Sequence, residues 1–318
     1  MIISASRRTD IPAFFCPWLI NRLRAGSVLV RNPFNRRQVS EIQLDPAVVD
    51  CLVLWSKNPG PILPYLQEIK AMGYPLVLHF TITACDQRLE PGLPDLSARI
   101  TAFRTLAEQL GPERMLWRFD PIILTHSQGV RWWLDRFATL AAALQGATHQ
   151  CTISFLSVYA KCRRNLAGID LWEAGATVKT ELALGLKERA KAMGIRLVAC
   201  CDRFLTVECG IEQAHCIDAG QLSAVLGYRL QAKKDPGQRP GCGCTVSIDI
   251  GAYDSCGHGC RYCYANTSER AVVRSMAAHD PHSPLLIGQL QGDEVIRLRD
   301  MGPRAHAILC TQPRAGGC

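Results

Sequence analysis

The feature that most constrains this chain is an alternation of short apolar runs with helix-length amphipathic stretches. Strand-like runs fall at residues 1–6, 28–31, 51–55, 76–82, 115–119, 151–158 and 195–199, with a last one at 245–250. Between them, residues 11–25 (interrupted by prolines), 61–72, 96–110, 130–144 and 177–193 read as helices. Strands alternating with helices of this length indicate βαβ units and a parallel sheet. Six or more such units suit an α/β fold built as a partial or complete parallel (β/α) barrel. In that architecture chemistry sits at the C-terminal ends of the strands. At 318 residues the chain can bury a large core in this way. The expected division is a barrel over 1–270, with a cysteine-rich insert at about 200–244, and a C-terminal helix and tail over 271–318 packed on it.

Polar residues cluster where strands are expected to end: Arg7 to Asp10, Ser56 to Asn58, Thr81 and Thr83, and Arg118 with Asp120. Ordinary turn chemistry accounts for any one of these clusters. Arg118 and Asp120 differ, because they interrupt the apolar run from Leu116 to Leu124, where a charge needs a partner or a function. His79, inside an apolar strand, reads as a core histidine with its hydrogen bonds satisfied.

Hydrophobic residues make up 48% and charged residues 20%, a globular composition. No apolar run reaches the ~18–20 residues of a membrane-spanning helix, and residues 1–8 do not form a signal peptide. The expectation is a soluble cytoplasmic protein with no membrane partner. In a reducing compartment its sixteen cysteines are either buried hydrophobes or metal ligands. Cys51 and Cys151, at the start of apolar runs, read as core. The net charge of +8 argues only weakly for an anionic partner such as nucleic acid, because the arginines are scattered.

The strongest local signal is Cys256-Gly-His-Gly-Cys260-Arg-Tyr-Cys263. Three thiolates in one short loop can wrap an iron–sulfur cube and leave its fourth iron open. Gly257 and Gly259 relieve the steric limits of so tight a turn. Zinc more often takes two separated cysteine pairs. Asp249 and Asp254 are placed to accept hydrogen bonds from the loop's amides, and His258 reads as an outward loop residue. A second set, Cys200, Cys216, Cys242 and Cys244, supplies four thiolates. Three readings of it stay open: a second, fully ligated 4Fe–4S cluster acting as relay or clip, a zinc site, and ordinary buried thiols. Strand alternation sends Cys200 and Cys201 to opposite faces, so that one of them is a ligand. Cys209 is a further candidate, while Cys310 and Cys318 in the tail read as free.

The loop, with Tyr262 as the aromatic in C-x3-C-x-aromatic-C, resembles the signature of the radical S-adenosylmethionine superfamily, and like that signature it follows a strand. In most of that superfamily the loop comes near the N-terminus, whereas here it comes late. Val53-Leu54-Trp55-Ser56-Lys57-Asn58-Pro59 and Leu116-Trp117-Arg118-Phe119-Asp120-Pro121-Ile122 resemble strands of spore photoproduct lyase-like members in shifted order. A circular permutation accounts for the shift, since a barrel's termini can close side by side. The whole chain also resembles a bacterial family of unknown function. The shared hallmarks are Ser-Arg-Arg-Thr-Asp-Ile-Pro at 6–12, Asn-Pro-Phe-Asn at 32–35, Lys-Asn-Pro at 57–59 and the late cysteine loop.

The resemblance implies a 4Fe–4S cluster on Cys256, Cys260 and Cys263, with S-adenosylmethionine on the open iron and Tyr262 beside its adenine, mostly through its backbone. It also implies an electron donor such as flavodoxin or ferredoxin, and a 5′-deoxyadenosyl radical as the reactive species. Lys57, Arg118 and Asp120 are then candidates for gripping the charged groups of cofactor or substrate. No substrate is implied, and a nucleic-acid repair or modification role rests on fold analogy alone. The rival reading is a non-catalytic iron–sulfur or zinc protein that binds nucleic acid or a protein partner.

Overall fold

A computed structural model of the chain describes residues 1–230, 233–239 and 241–302. Its strands are β1 (Ile2–Ala5), β2 (Ser27–Asn32), β3 (Asn35–Gln43), β4 (Cys51–Ser56), β5 (Leu76–Thr81), β6 (Met115–Ile122), β7 (Gln150–Phe155), β8 (Arg196–Ala199), β9 (Glu212–Gln213), β10 (Ile248–Asp249) and β11 (Val295–Leu298). The helices are α1 (Ile11–Phe14), α2 (Cys16–Ala25), α3 (Leu66–Ala71), α4 (Leu96–Leu110), α5 (Val130–Ala143), α6 (Ala160–Asn165), α7 (Ala176–Ala192), α8 (Ala219–Leu226) and α9 (Glu269–Ala277). Eight strands form one sheet in the order β10-β1-β4-β5-β6-β7-β8-β9, and every pairing in it is parallel. The strand that feeds the cysteine loop is late in the chain, yet it lies at the sheet edge beside β1.

Burial on both faces explains why these strands are almost continuously apolar. Ile3, Leu52, Leu54, Leu78 and Trp117 point to the main core, against α2, α3, α4, α5 and α7. Their neighbours Ile2, Cys51, Val53, Val77 and Leu116 point the other way, into a second core completed by Ile217, Leu222 and Leu230. Each fully buried Leu or Phe contributes roughly 2–3 kcal/mol. The cysteine-rich insert therefore folds back onto the inner face of the sheet through α8.

The smaller sheet departs from the sequence reading. The strand expected at 28–31 lies outside the large sheet, because it pairs with β3 as an antiparallel hairpin that β11 extends in parallel. β3 itself is polar and half exposed, burying only Val39 and Ile42, so no apolar run announces it. The segment beyond the loop packs on α2, where Trp18 Nε1 donates to Ser283 O at 3.0 Å and Asn21 Nδ2 to Pro281 O at 2.9 Å. Cys310 and Cys318 lie outside the described residues. Among the described residues, no helix is long and apolar enough to cross a membrane.

Candidate functional site

A cavity of about 480 Å³ opens at the C-terminal ends of the parallel strands, a volume suited to a small organic ligand. Its wall takes Arg7, Arg8 and Asp10 from beyond β1, Trp55 from β4 and Lys57 from just beyond it, Thr81 from β5, and Arg118 from β6. Cys256, Cys260 and Cys263 enter from beyond β10, at one edge of the sheet. Cys200, Cys201 and Cys216 enter from around β8 and β9, at the opposite edge, together with Cys242 and Cys244. Segments from both edges reach one cavity because the sheet curls around it.

Three of the contacts that hold the 256–263 loop come from residues 10 and 89–92. Arg261 N donates to Leu89 O at 3.0 Å and Gly92 N to His258 O at 3.0 Å. A Cβ on Gly92 would lie 2.7 Å from His258 O, so only glycine permits this approach. Asp10 supplies the third contact: Oδ1 accepts from Ala13 N at 2.9 Å, while Oδ2 accepts from Lys57 N and from His258 Nε2, each at 2.7 Å. His258 is thus buried against Phe14, not turned outward as its position between two glycines suggests. Within the loop, Gly259 takes a φ of +65°, and Ala265 N donates to Cys263 Sγ at 3.3 Å.

Behind the loop lies a carboxylate that has no signal in the sequence. Glu90 is buried and accepts from Lys57 Nζ at 2.7 Å, from Thr83 Oγ1 at 3.0 Å and from the Tyr262 hydroxyl. Burial alone would raise its carboxyl, but Lys57 and these hydrogen bonds outweigh it and hold the pKa below its ordinary value. For Lys57, burial works to lower the pKa, and Glu90 and Cys260 together keep it raised. Burial pushes the Cys260 thiol up to about 12 against the pull of Lys57, and Cys256 is raised by burial and then by Asp10. The Tyr262 side chain turns to Glu90 and is not part of the cavity wall.

Asp249 and Asp254 do not serve the loop's amides. Asp249 binds Ser4 Oγ, Ser6 Oγ, Arg7 N and Gly251 N at 2.6–3.0 Å, tying β10 to β1. Asp254 takes Thr267 instead.

The second thiol set gathers around Arg118. Its Nη1 donates to Cys216 Sγ at 3.2 Å and its Nη2 to Asp120, which also accepts from Ser154 Oγ. Asp120 is absent from the cavity wall, so it positions Arg118. Cys200 Sγ lies 2.9 Å from Cys216 Sγ, and Cys244 bonds to both. Those two sulfur hydrogen bonds, with Arg118, hold the Cys216 thiol well below its ordinary pKa against the effect of burial. Cys200 and Cys201 both line the cavity, because β8 ends at Ala199 and Cys201 takes a φ of +54°, which breaks the strand alternation. Cys209 is buried away from this wall and contacts Thr180.

Arg118 also lies 5.6 Å from the Trp55 ring, which stacks on His79 at 4.0 Å. His79 bonds the Cys216 backbone but its Nδ1 has no partner, so the satisfied histidine expected there is half met, and burial followed by Arg118 pushes its pKa down to about 3. Among the described residues, no group of three or more His, Cys, Asp or Glu side chains is arranged to hold a metal ion as it stands.

A family profile described as "Domain of unknown function (DUF1848)" matches residues 2–265. The chain belongs to the DUF1848 family. The match runs from the first residue of β1 to two residues past Cys263, so the DUF1848 unit contains the whole large sheet, the cavity and both thiol sets. Helix α9 and strand β11 lie beyond it. A search of curated proteins found none that matches.

Proposed function

We propose that the chain is a radical S-adenosylmethionine enzyme with a 4Fe–4S cluster on Cys256, Cys260 and Cys263, acting on a substrate held in the cavity. One observation carries the reading. Three thiols spaced x3 and x2 in a single loop face a cavity at the C-terminal ends of a curved parallel sheet. The donor set fits the group: the ligands are soft thiols, an amide donates to Cys263 Sγ, and the cationic Lys57 sits beside Cys260 to offset negative charge. The pairing of β10 with β1 supports a permuted radical S-adenosylmethionine barrel, in which the strand before the loop neighbours the strand that opens the chain.

When bound, such a cluster and S-adenosylmethionine would supply hydrogen-abstracting radical chemistry, through one-electron cleavage of the sulfonium to a 5′-deoxyadenosyl radical and methionine. The chain's own residues position and shield. Asp10 ties the loop to α1 and β4, so the loop is set before any ligand enters. Arg7, Arg8 and Arg239 join Lys57 and Arg118 as the cations of the wall that can meet a carboxylate. Arg7 lies over Trp55 at 5.9 Å and Arg8 over Tyr253 at 5.3 Å, so both are held by aromatic faces. Trp55 and Tyr264 give the wall its apolar part and limit water.

Anaerobic reconstitution with iron and sulfide, followed by dithionite in place of the cellular flavodoxin or ferredoxin, tests this reading. Added S-adenosylmethionine is expected to yield 5′-deoxyadenosine. A cluster-replete sample that forms none would overturn the enzyme and leave a non-catalytic iron–sulfur protein. Salt-sensitive retention of nucleic acid in a gel shift would then identify its partner.

A further inference from the structure

Four thiols on the same cavity play no part in the proposed chemistry. Cys200 and Cys216 are in sulfur–sulfur contact at 2.9 Å, Cys244 bonds to both, and Cys242 is buried on the same wall. They come from three separate segments that the backbone ties together. Ala214 N donates to Ala199 O at 2.9 Å, Thr245 N to Ile217 O at 2.8 Å, and Ala219 N to Thr245 Oγ1 at 3.1 Å. The ring of His215 lies where a Cβ on Gly243 would be, so the turn carrying Cys216 interlocks with the Cys242–Cys244 turn only through that glycine. Aliphatic side chains fill a core without any of this. Arg118 further aims a guanidinium at Cys216 Sγ from 3.2 Å, a placement that suits a thiolate.

We propose that Cys200, Cys216, Cys242 and Cys244 form a second centre that holds a single thiophilic divalent ion, zinc or ferrous iron, in a tetrahedron of sulfurs. Spacing separates an ion from a cube. Four thiolates around one zinc, with bonds of about 2.3 Å, lie about 3.8 Å apart. Cys200 and Cys216, at 2.9 Å, are somewhat too close for this, and an opening of their contact, with Cys242 brought in from the same wall, admits the ion. A four-iron cube drives its ligand sulfurs much farther apart, against the backbone ties and against Arg118. Of the readings open to the sequence, the proposal takes the mononuclear site over a second 4Fe–4S cluster. Ion binding displaces the protons the thiols carry and moves no electrons. The site stands independently of the cluster proposed on the loop, which it faces across the cavity.

The test uses the full chain carrying C256A, C260A and C263A, so that metal on the loop cannot contribute. After anaerobic purification, elemental analysis is expected to find about one zinc or iron per chain and no acid-labile sulfide. Zinc and ferrous iron are told apart by the same analysis. Replacement by cobalt should give the intense visible bands of a tetrahedral cobalt thiolate. Adding C216S should lower the metal about tenfold or more, whereas C209S should leave it in place. Should C216S fail to fold, alkylation of the parent protein decides. Cys200, Cys216, Cys242 and Cys244 should be protected until a chelator is added. Folded parent protein without metal, iron matched by sulfide, a Cys200–Cys216 disulfide in mass spectra, or labelling of the four thiols without chelator would each overturn the proposal.

Discussion

The two thiol sets that share the cavity are built in opposite ways around the same electrostatic device. The loop set is local, within residues 256–263, and is anchored from outside by Asp10 and by the 89–92 backbone. The other set is assembled from residues on three segments. Yet each has a largely buried cation backed by a carboxylate, Lys57–Glu90 beside Cys260 and Arg118–Asp120 beside Cys216. A local set needs only the strand that feeds it, and β10 pairs with β1, which is how a loop so late in the sequence still reaches the strand ends. A scattered set exists only when the whole sheet has folded, so it reports on the fold as much as on the metal.

The comparison can be broken most directly at the loop. Cys260→Ala should abolish iron retention by the loop and reduce 5′-deoxyadenosine to background, read by iron analysis and chromatography. Loop iron surviving that change would end the assignment.

Next in size is Glu90→Gln, which leaves Lys57 largely buried without its counter-charge. It should cost about 3–5 kcal/mol in urea unfolding. Because the folded-state carboxyl is held below its ordinary value, its stabilisation is complete above the unfolded pKa of about 4.3 and is lost as pH falls through the folded value. Thermal melts of the variant should accordingly lose this acid-side decline; an unchanged decline would assign it to other carboxylates.

Arg118→Met, at the more exposed pair, should cost about 2 kcal/mol, less than Glu90→Gln. The reverse ranking would make the scattered set the structural keystone. The smallest effect is expected from His258→Phe, about 1–2 kcal/mol by chemical denaturation, because Asp10 keeps its bonds from Ala13 N and Lys57 N.

What could be read from the sequence follows the same division. Helix α4 covers the expected residues 96–110, because its periodicity is local and Gly111, at φ +93°, stops it. The cysteine loop and the parallel sheet were equally legible. Strand β10 shrinks from the expected six residues at 245–250 to Ile248–Asp249, because among the described strands it pairs only with β1. Glu90 and His258 were missed for one reason: their partners Lys57 and Asp10 lie far along the chain, and neither residue has a local pattern that marks burial. The return of α8 onto the inner face is likewise a tertiary event. Its short apolar run matches the second core only once Ile2, Val53 and Leu116 are brought side by side.

Electron paramagnetic resonance of dithionite-reduced, cluster-replete protein, recorded with and without S-adenosylmethionine, tests the central claim most directly. A three-thiolate cluster has one iron free to take the ligand, so the account predicts that the spectrum changes on addition. A reduced-cluster spectrum that is identical in both samples would contradict it.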